Sequence, residues 1–343
     1  METLADQAVQ NPASVKSPVR WGIAGPGRMA QSFVKDFEHV PDAVPFAVGS
    51  RDLDRAQAFA SQYGLERGFG SYQELCACPE VDVVYISTPH PQHKAIALEA
   101  IRNGKGVLVE KAFATTLAGA QEIVDAAREA KVFAMEALWT RFQPVVRALH
   151  EVVDEGQLGT ILGVQGDLFA QRDFNPDDRL FAKELGGGAV LDLGVYVLHF
   201  AQDFLGSPKA MTVSGSMYPN GVDAQAGMVL TYDSGALATL AVSLQSAGPG
   251  RMVVMGDQGW AEVKPRFHHP DRVVLHRKGV TPRTLATAPL GAGYSHEIEE
   301  VTRCILAGKT ESEIMPLDDT LAVMAQLEQA LRDLGIEHTD QPL

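Results

Sequence analysis

Three short stretches carry residue types that could do chemistry. The run Gly106-Val-Leu-Val-Glu110-Lys111 is apolar until it ends in a carboxylate and an amine. A lysine at the carboxyl edge of a buried strand stands where ligands sit in open α/β sheets, and is a candidate for acid–base work. Asp192 and Tyr196 are four apart in an apolar, helix-like stretch, so they share one face of a predicted helix. The preceding Gly186-Gly187-Gly188 would let backbone approach a ligand closely. Upstream, Gly25-Pro26-Gly27-Arg28-Met29-Ala30 fits G-x-G-x-x-A directly after one apolar run and before a helical pattern. That context predicts a phosphate cradle: a tight turn, a close backbone approach, and a helix N-terminus whose free N–H groups face an anion. Pro26 lacks an N–H and cannot be one of those donors.

The end of the second apolar run reads Gly49-Ser50-Arg51. An Asp or Glu there would accept from a ribose 2′-hydroxyl, whereas Ser and Arg suit a 2′-phosphate. NADP is therefore favoured, with NAD as the alternative if Asp52 turns inward. Arg28 and Met29 at the helix start, Thr88, Pro89 and His93 in "ISTPHPQHK", and Glu110 complete the candidate cofactor contacts. His90 and His93 stand three apart, but no third or fourth ligand is near, so no metal site is expected.

These residues need a scaffold. From Val19 to about Leu138 continuous Val/Ile/Leu runs alternate with amphipathic segments at Asp52–Gln62, His90–Asn103 and Thr115–Ala130. That is the pattern of a parallel sheet covered on both faces, an α/β doubly wound domain. After Phe142 two helical segments precede strand-like runs separated by turns, with a hairpin signal at Asp233-Ser234-Gly235. The second half is thus expected to be α+β with a large, mostly antiparallel sheet. The boundaries are 1–18 for a disordered tail, 19–141 for the first domain and 142–343 for the second, whose last helix is free to pack back on the first.

The chain has 343 residues, 45% hydrophobic and 21% charged, enough for a sizeable core. Its net charge of −14 opposes non-specific nucleic-acid binding. Three cysteines, Cys76, Cys78 and Cys304, form neither a disulfide framework nor a zinc pattern. No basic-then-apolar leader or long apolar span is present, so a cytoplasmic protein away from membranes is expected.

Taken in order, "GIAGPGRMA", "STPHPQH", "VEKAFA" and "GGGAVLDLGVYVLHF" resemble the glucose-fructose oxidoreductase, inositol dehydrogenase and rhizopine catabolism (Gfo/Idh/MocA) family. "MEALWTRFQP" is similar to its branch of dimeric dihydrodiol and D-xylose dehydrogenases. The resemblance implies that Lys111 and Tyr196 are the catalytic pair, with Asp192 in the same site. Trp139, Arg141, Arg172 and Arg179 then become candidate substrate contacts. Two departures stand out: Ala112 replaces the family's usual proline after E-K, and Tyr196 replaces the histidine of many relatives.

Physical chemistry is compatible with that pair. Oxidising an alcohol needs a base for the hydroxyl proton, and a phenol of pKa near 10 is a poor one at neutral pH. A lysine ammonium about 4 Å away, at an effective dielectric of about 20, would favour the phenolate by roughly 4 kcal/mol. The expected activity is hydride transfer between nicotinamide and a secondary alcohol or hemiacetal carbon of a sugar, cyclic polyol or dihydrodiol. Two other functions fit the same motifs: a hydrolase or lyase using NAD transiently, and a non-enzymatic NADP sensor. The resemblance also implies a homodimer through the second sheet.

Overall fold

A computed structural model describes residues 17–343. The tail expected over 1–18 therefore lies, for residues 1–16, outside the described residues. The chain opens with β1 (Val19–Ala24), α1 (Arg28–Lys35), β2 (Ala43–Gly49), α2 (Leu53–Tyr63), β3 (Arg67–Phe69) and α3 (Tyr72–Ala77). It continues through β4 (Val83–Ile86), α4 (His93–Arg102), β5 (Gly106–Glu110), α5 (Leu117–Ala130) and β6 (Ala134–Ala137). These six strands form one parallel sheet in the order 3-2-1-4-5-6, the doubly wound arrangement that the alternating runs predict. β4, β5 and β6 are buried at every position, which is why their sequences show no polar alternation. The helices start where their caps dictate. Asp52 accepts from Arg55 N, Ser71 from Glu74 N and Thr116 from Gly119 N.

The second half begins with α6 (Pro144–Asp154) and β7 (Ile161–Phe169), then α7 (Val195–Leu205). There follow β8 (Ala210–Met217), β9 (Asp223–Thr231), β10 (Leu237–Ser243), β11 (Met252–Gly256), β12 (Gly259–Val263), β13 (Arg272–Arg277) and β14 (Val280–Ala286). Helices α8 (Ser295–Leu306) and α9 (Leu317–Asp333) come last. The eight strands form one sheet ordered 14-13-12-11-7-10-9-8, antiparallel except where β7 meets β10. Along β9 burial alternates, so one face packs on helices and the other faces outward.

The two halves are tied together by polar contacts. The carboxylate of Asp36, just after α1, is buried and accepts from Ala292, Tyr294 and Ser295 N–H at 2.7–3.1 Å, capping the start of α8. On the other side Glu328 of α9 accepts from Leu117 N, the first residue of α5, at 3.1 Å. Arg128 of α5 pairs with Glu311 and Asp318. The last helix does lie against the first sheet's helices.

Candidate active site

The glycine turn lies where β1 meets α1. Gly27 has an ordinary backbone (φ −87°), and a Cβ added there would meet nothing nearer than the Ser87 carbonyl oxygen at 4.0 Å. Neither strain nor internal packing requires a glycine at this position. What remains is room for a ligand to approach the backbone. No side chain caps α1, and its first turn carries no acid, so its N–H groups are open to an anion.

Gly25, Gly27, Ser50, Arg51, Thr88 and Pro89 line one groove of about 390 Å³. Thr88 stands in its wall, and its buried Oγ1 has no hydrogen-bond partner among the described residues. Four further lining residues escaped the sequence reading: Arg55, Tyr72, Ser87 and Gln92. Arg55 follows Arg51 by four residues, a signal that was available. Asp52 also lines the groove, and its Oδ1 caps α2 by accepting from Arg55 N at 3.1 Å. Arg28 and Met29 are exposed at the mouth of the groove.

Lys111 follows β5, and its peptide to Ala112 is cis. Its Nζ donates to the Asp192 carbonyl at 2.8 Å and to Asp192 Oδ1 at 3.1 Å, and lies 4.9 Å from the centre of the Tyr196 ring. Arg179 reaches the same carboxylate oxygen at 3.5 Å. Burial pushes the Asp192 carboxyl up, but Lys111, Arg179 and His90 outweigh it and hold the group well below the usual carboxylate range. Tyr196 behaves against expectation. Burial pushes its phenol well above 10, and the carboxylates of Glu110 and Asp192 push it further, so the hydroxyl stays protonated at neutral pH. Lys111 sits over the ring face, with its N–H bonds directed at Asp192 and not at the phenol oxygen.

Asp192 also departs from the predicted single helix. It lies in a π-helical turn, Val190–Gly194, that precedes α7, on which Tyr196 stands. The glycines before it serve packing and not a ligand. Gly188 has φ +124°, and a Cβ there would fall 2.0 Å from Asp223 Oδ1. That aspartate caps the turn by accepting from Val190 N at 2.6 Å.

Other candidates are placed elsewhere. Glu110 is buried beneath the site, where it accepts from Tyr85 Oη at 2.5 Å and from Lys111 N at 3.3 Å. His93, fully buried, places its ring nitrogens 3.0 and 2.8 Å from the carbonyls of Ala112 and Thr88, pegging the groove to the lysine loop. His90 does the same between Gly186 and Lys111, at 3.2 Å to each. Among the described residues no three His, Cys, Asp or Glu side chains cluster as metal ligands. Arg141 corrects the expectation of a substrate contact: it is buried and holds Asp319 at 2.6 Å and Asp203 at 3.6 Å. Arg172 is exposed and donates to the Gln171 carbonyl.

Trp139 stacks on Tyr294 at 4.6 Å and lies 5.1 Å from His269. His268 links this wall to the catalytic candidates, its ring 5.3 Å from that of Tyr196. Its buried Nδ1 has no partner, and burial with the charges of His269 and Lys111 depresses its pKa to about 3. Nothing local in "RFHHP" announces this role; the long return from β12 brings it there.

With the geometry in place, comparisons with known proteins agree. Residues 19–138 match the profile described as an oxidoreductase family with an NAD-binding Rossmann fold. Residues 146–262 match the GFO/IDH/MocA C-terminal domain. The chain belongs to the Gfo/Idh/MocA oxidoreductase family. Within this family it is 32% identical over 330 residues to a trans-1,2-dihydrobenzene-1,2-diol dehydrogenase of Xenopus tropicalis, covering 93% of this chain and 99% of that one. Among solved structures it is similar to an aldose-aldose oxidoreductase from Caulobacter crescentus complexed with glycerol, at TM-score 0.84 and 26% identity over 92% and 97% of the two chains. A 3-ketoreductase from Actinomadura kijaniata, solved with NADP and TDP-benzene, gives TM-score 0.80 and 25% identity over 95% and 100%. The chain is an oxidoreductase of the dehydrogenase type, with an NAD-binding Rossmann domain.

Proposed function

We propose that this family member is an NADP-preferring dehydrogenase acting on a secondary alcohol or hemiacetal carbon of a sugar, cyclic polyol or trans-dihydrodiol. The observation that carries the reading is the cluster of Lys111, Asp192 and Tyr196 beside the groove, joined to it through His90 and His93. Gly25, Gly27 and the start of α1 would hold the pyrophosphate, and Thr88 and Pro89 the adjoining wall. Ser50, Arg51 and Arg55 offer a hydroxyl and two guanidinium groups, which suit a 2′-phosphate; Asp52 lines the same groove with one carboxylate oxygen engaged in capping α2. The Actinomadura 3-ketoreductase, solved with NADP, supports the same preference.

When bound, the nicotinamide supplies or accepts the hydride. Tyr196, held protonated, donates its proton to the oxygen on which charge develops during reduction, and the Lys111 ammonium stabilises that charge. Asp192 fixes the ammonium in place. For oxidation the phenol must first lose its proton, so this arrangement is poised for reduction at neutral pH. The aromatic cluster of Trp139, Tyr294 and His268 suits a ring-shaped substrate.

The outward face of the second sheet exposes Val229, Leu237 and Trp260, a pattern that supports self-association as a homodimer. A screen of aldoses, polyols and dihydrodiols with NADP and NAD, read by the absorbance of the reduced nicotinamide, tests the function. Turnover of none of them, despite tight nucleotide binding, overturns it. Tightly held nucleotide with no net change in its redox state during a reaction would instead indicate transient use of the cofactor.

A further inference from the structure

A second cavity, of about 320 Å³, opens beside the glycine groove and shares Arg51, Tyr72 and Gln92 with it. The two therefore adjoin at these three side chains, and the outer cavity borders Arg51, one of the residues suited to the ribose phosphate. Its inner wall is Tyr72 and Ile96; its outer wall is the segment Gln341-Pro342-Leu343. That segment has crossed back over the first sheet and is pinned at several points. Asp340 accepts from Thr115 N at 3.0 Å and Thr116 Oγ1 at 2.5 Å, Gln341 N donates to the Pro91 carbonyl at 2.7 Å, and Gln341 Nε2 donates to the Glu184 carbonyl at 3.0 Å.

Gln92, about nine-tenths buried, lines both cavities. A flat heteroaromatic in the second cavity would meet Ile96, Pro342 and the Arg51 guanidinium.

We propose that residues 341–343 form the outer wall of an adenine subsite, so that nucleotide binding and docking of this segment stabilise one another. The proposal rests on the dinucleotide reading above and adds to it a specific role for the last segment. Adenine occupancy buries Pro342 and Leu343, and docking of the segment buries the adenine; by linkage each strengthens the other to the same degree.

The test is calorimetric titration of the full chain and of a chain ending at Asp340, using NADP, 2′,5′-ADP and nicotinamide mononucleotide. Truncation is expected to weaken NADP and 2′,5′-ADP by about tenfold, the effect of losing apolar contact from two side chains, and to leave nicotinamide mononucleotide unchanged. Hydrogen exchange on the full chain provides a readout that does not depend on folding of the truncated one. The Gln341 amide is expected to gain protection with 2′,5′-ADP and none with the mononucleotide. Unchanged or tighter binding after truncation, or equal exchange with both ligands, overturns the proposal and leaves the dinucleotide reading intact. Failure of the full chain to bind any dinucleotide overturns both.

Discussion

Lys111 and Tyr196 meet face-on: the ammonium lies 4.9 Å from the centre of the phenol ring, while Asp192 takes its hydrogen bonds. A cation over a ring face is a stable contact, but it leaves the hydroxyl oxygen under the influence of Glu110 and Asp192. The first prediction follows from that orientation. The kcat/KM for alcohol oxidation should rise with pH into the alkaline range, because phenolate is required and the phenol pKa is raised. Reduction should stay flat through neutral pH and fall only when the phenol ionises. Tyr196→Phe should remove both dependences and lower turnover by about 10²–10⁴-fold.

Lys111→Met should also abolish turnover, since among the described residues no other ammonium reaches the Asp192 carboxylate, while NADP binding followed by fluorescence titration stays within a few-fold of normal. Near-normal rates in this variant would remove the mechanism.

Arg51→Ala is expected to raise the KM for NADP by about tenfold or more and leave that for NAD nearly unchanged, since a lost charge-assisted bond to phosphate costs about 1.5–3 kcal/mol. The ratio of kcat/KM values for the two cofactors is the measurement. An unchanged ratio would assign the preference elsewhere.

His268 gives a stability prediction with a definite sign. Its pKa falls from 6.5 to about 3 on folding, so the unfolded chain takes up the proton first as pH drops. Its contribution is complete above about pH 6.5 and is lost as pH falls towards 3. Between pH 7 and pH 5 the wild type should lose up to about 2 kcal/mol more stability than His268→Gln, read from urea midpoints. Equal losses would mean the imidazole is not desolvated.

The buried pair His199–Glu136 joins the segments that carry Lys111 and Tyr196. His199, three residues after Tyr196, bonds Glu136 Oε2 at 2.9 Å, and the other carboxylate oxygen accepts from Phe113 N, two residues after Lys111. His199→Phe leaves half of a buried carboxylate unsatisfied and should destabilise the fold by roughly 3 kcal/mol. It should also lower kcat with little change in KM for NADP. A stable variant of full activity would show that the pair positions nothing.

Much of this organisation was legible in the sequence, and the exceptions have physical causes. The first sheet announces itself because strands buried on both faces are continuously apolar. The hairpin at Asp233–Gly235 is signalled by its turn residues, and β9 and β10 pair around it in register. β7 was invisible although it sits mid-sheet, because Gly163 and Gly166 dilute its strand character. A Cβ at Gly166 would fall 2.1 Å from Met252 Sδ, so the neighbouring strand forbids the residue that would have revealed it. Lys111, Asp192 and Tyr196 could be read from motifs, but the orientation of the ammonium could not. It depends on the π-helical turn, whose extra residue no periodicity predicts. Arg141 misled because a buried arginine and a pocket arginine look alike until their carboxylates are placed.

The Asp36 contact makes α1 a strut between the glycine turn and the aromatic wall. Its amino end is the turn proposed to hold the pyrophosphate, and about 12 Å away its far end grips the backbone of Tyr294, the residue that stacks on Trp139. Phosphate pressing on one end of such a strut is felt as a tilt at the other. Filling the nucleotide groove would therefore set the wall against which the substrate ring lies, and kinetics of compulsory order, dinucleotide before alcohol, would be written into a single short helix.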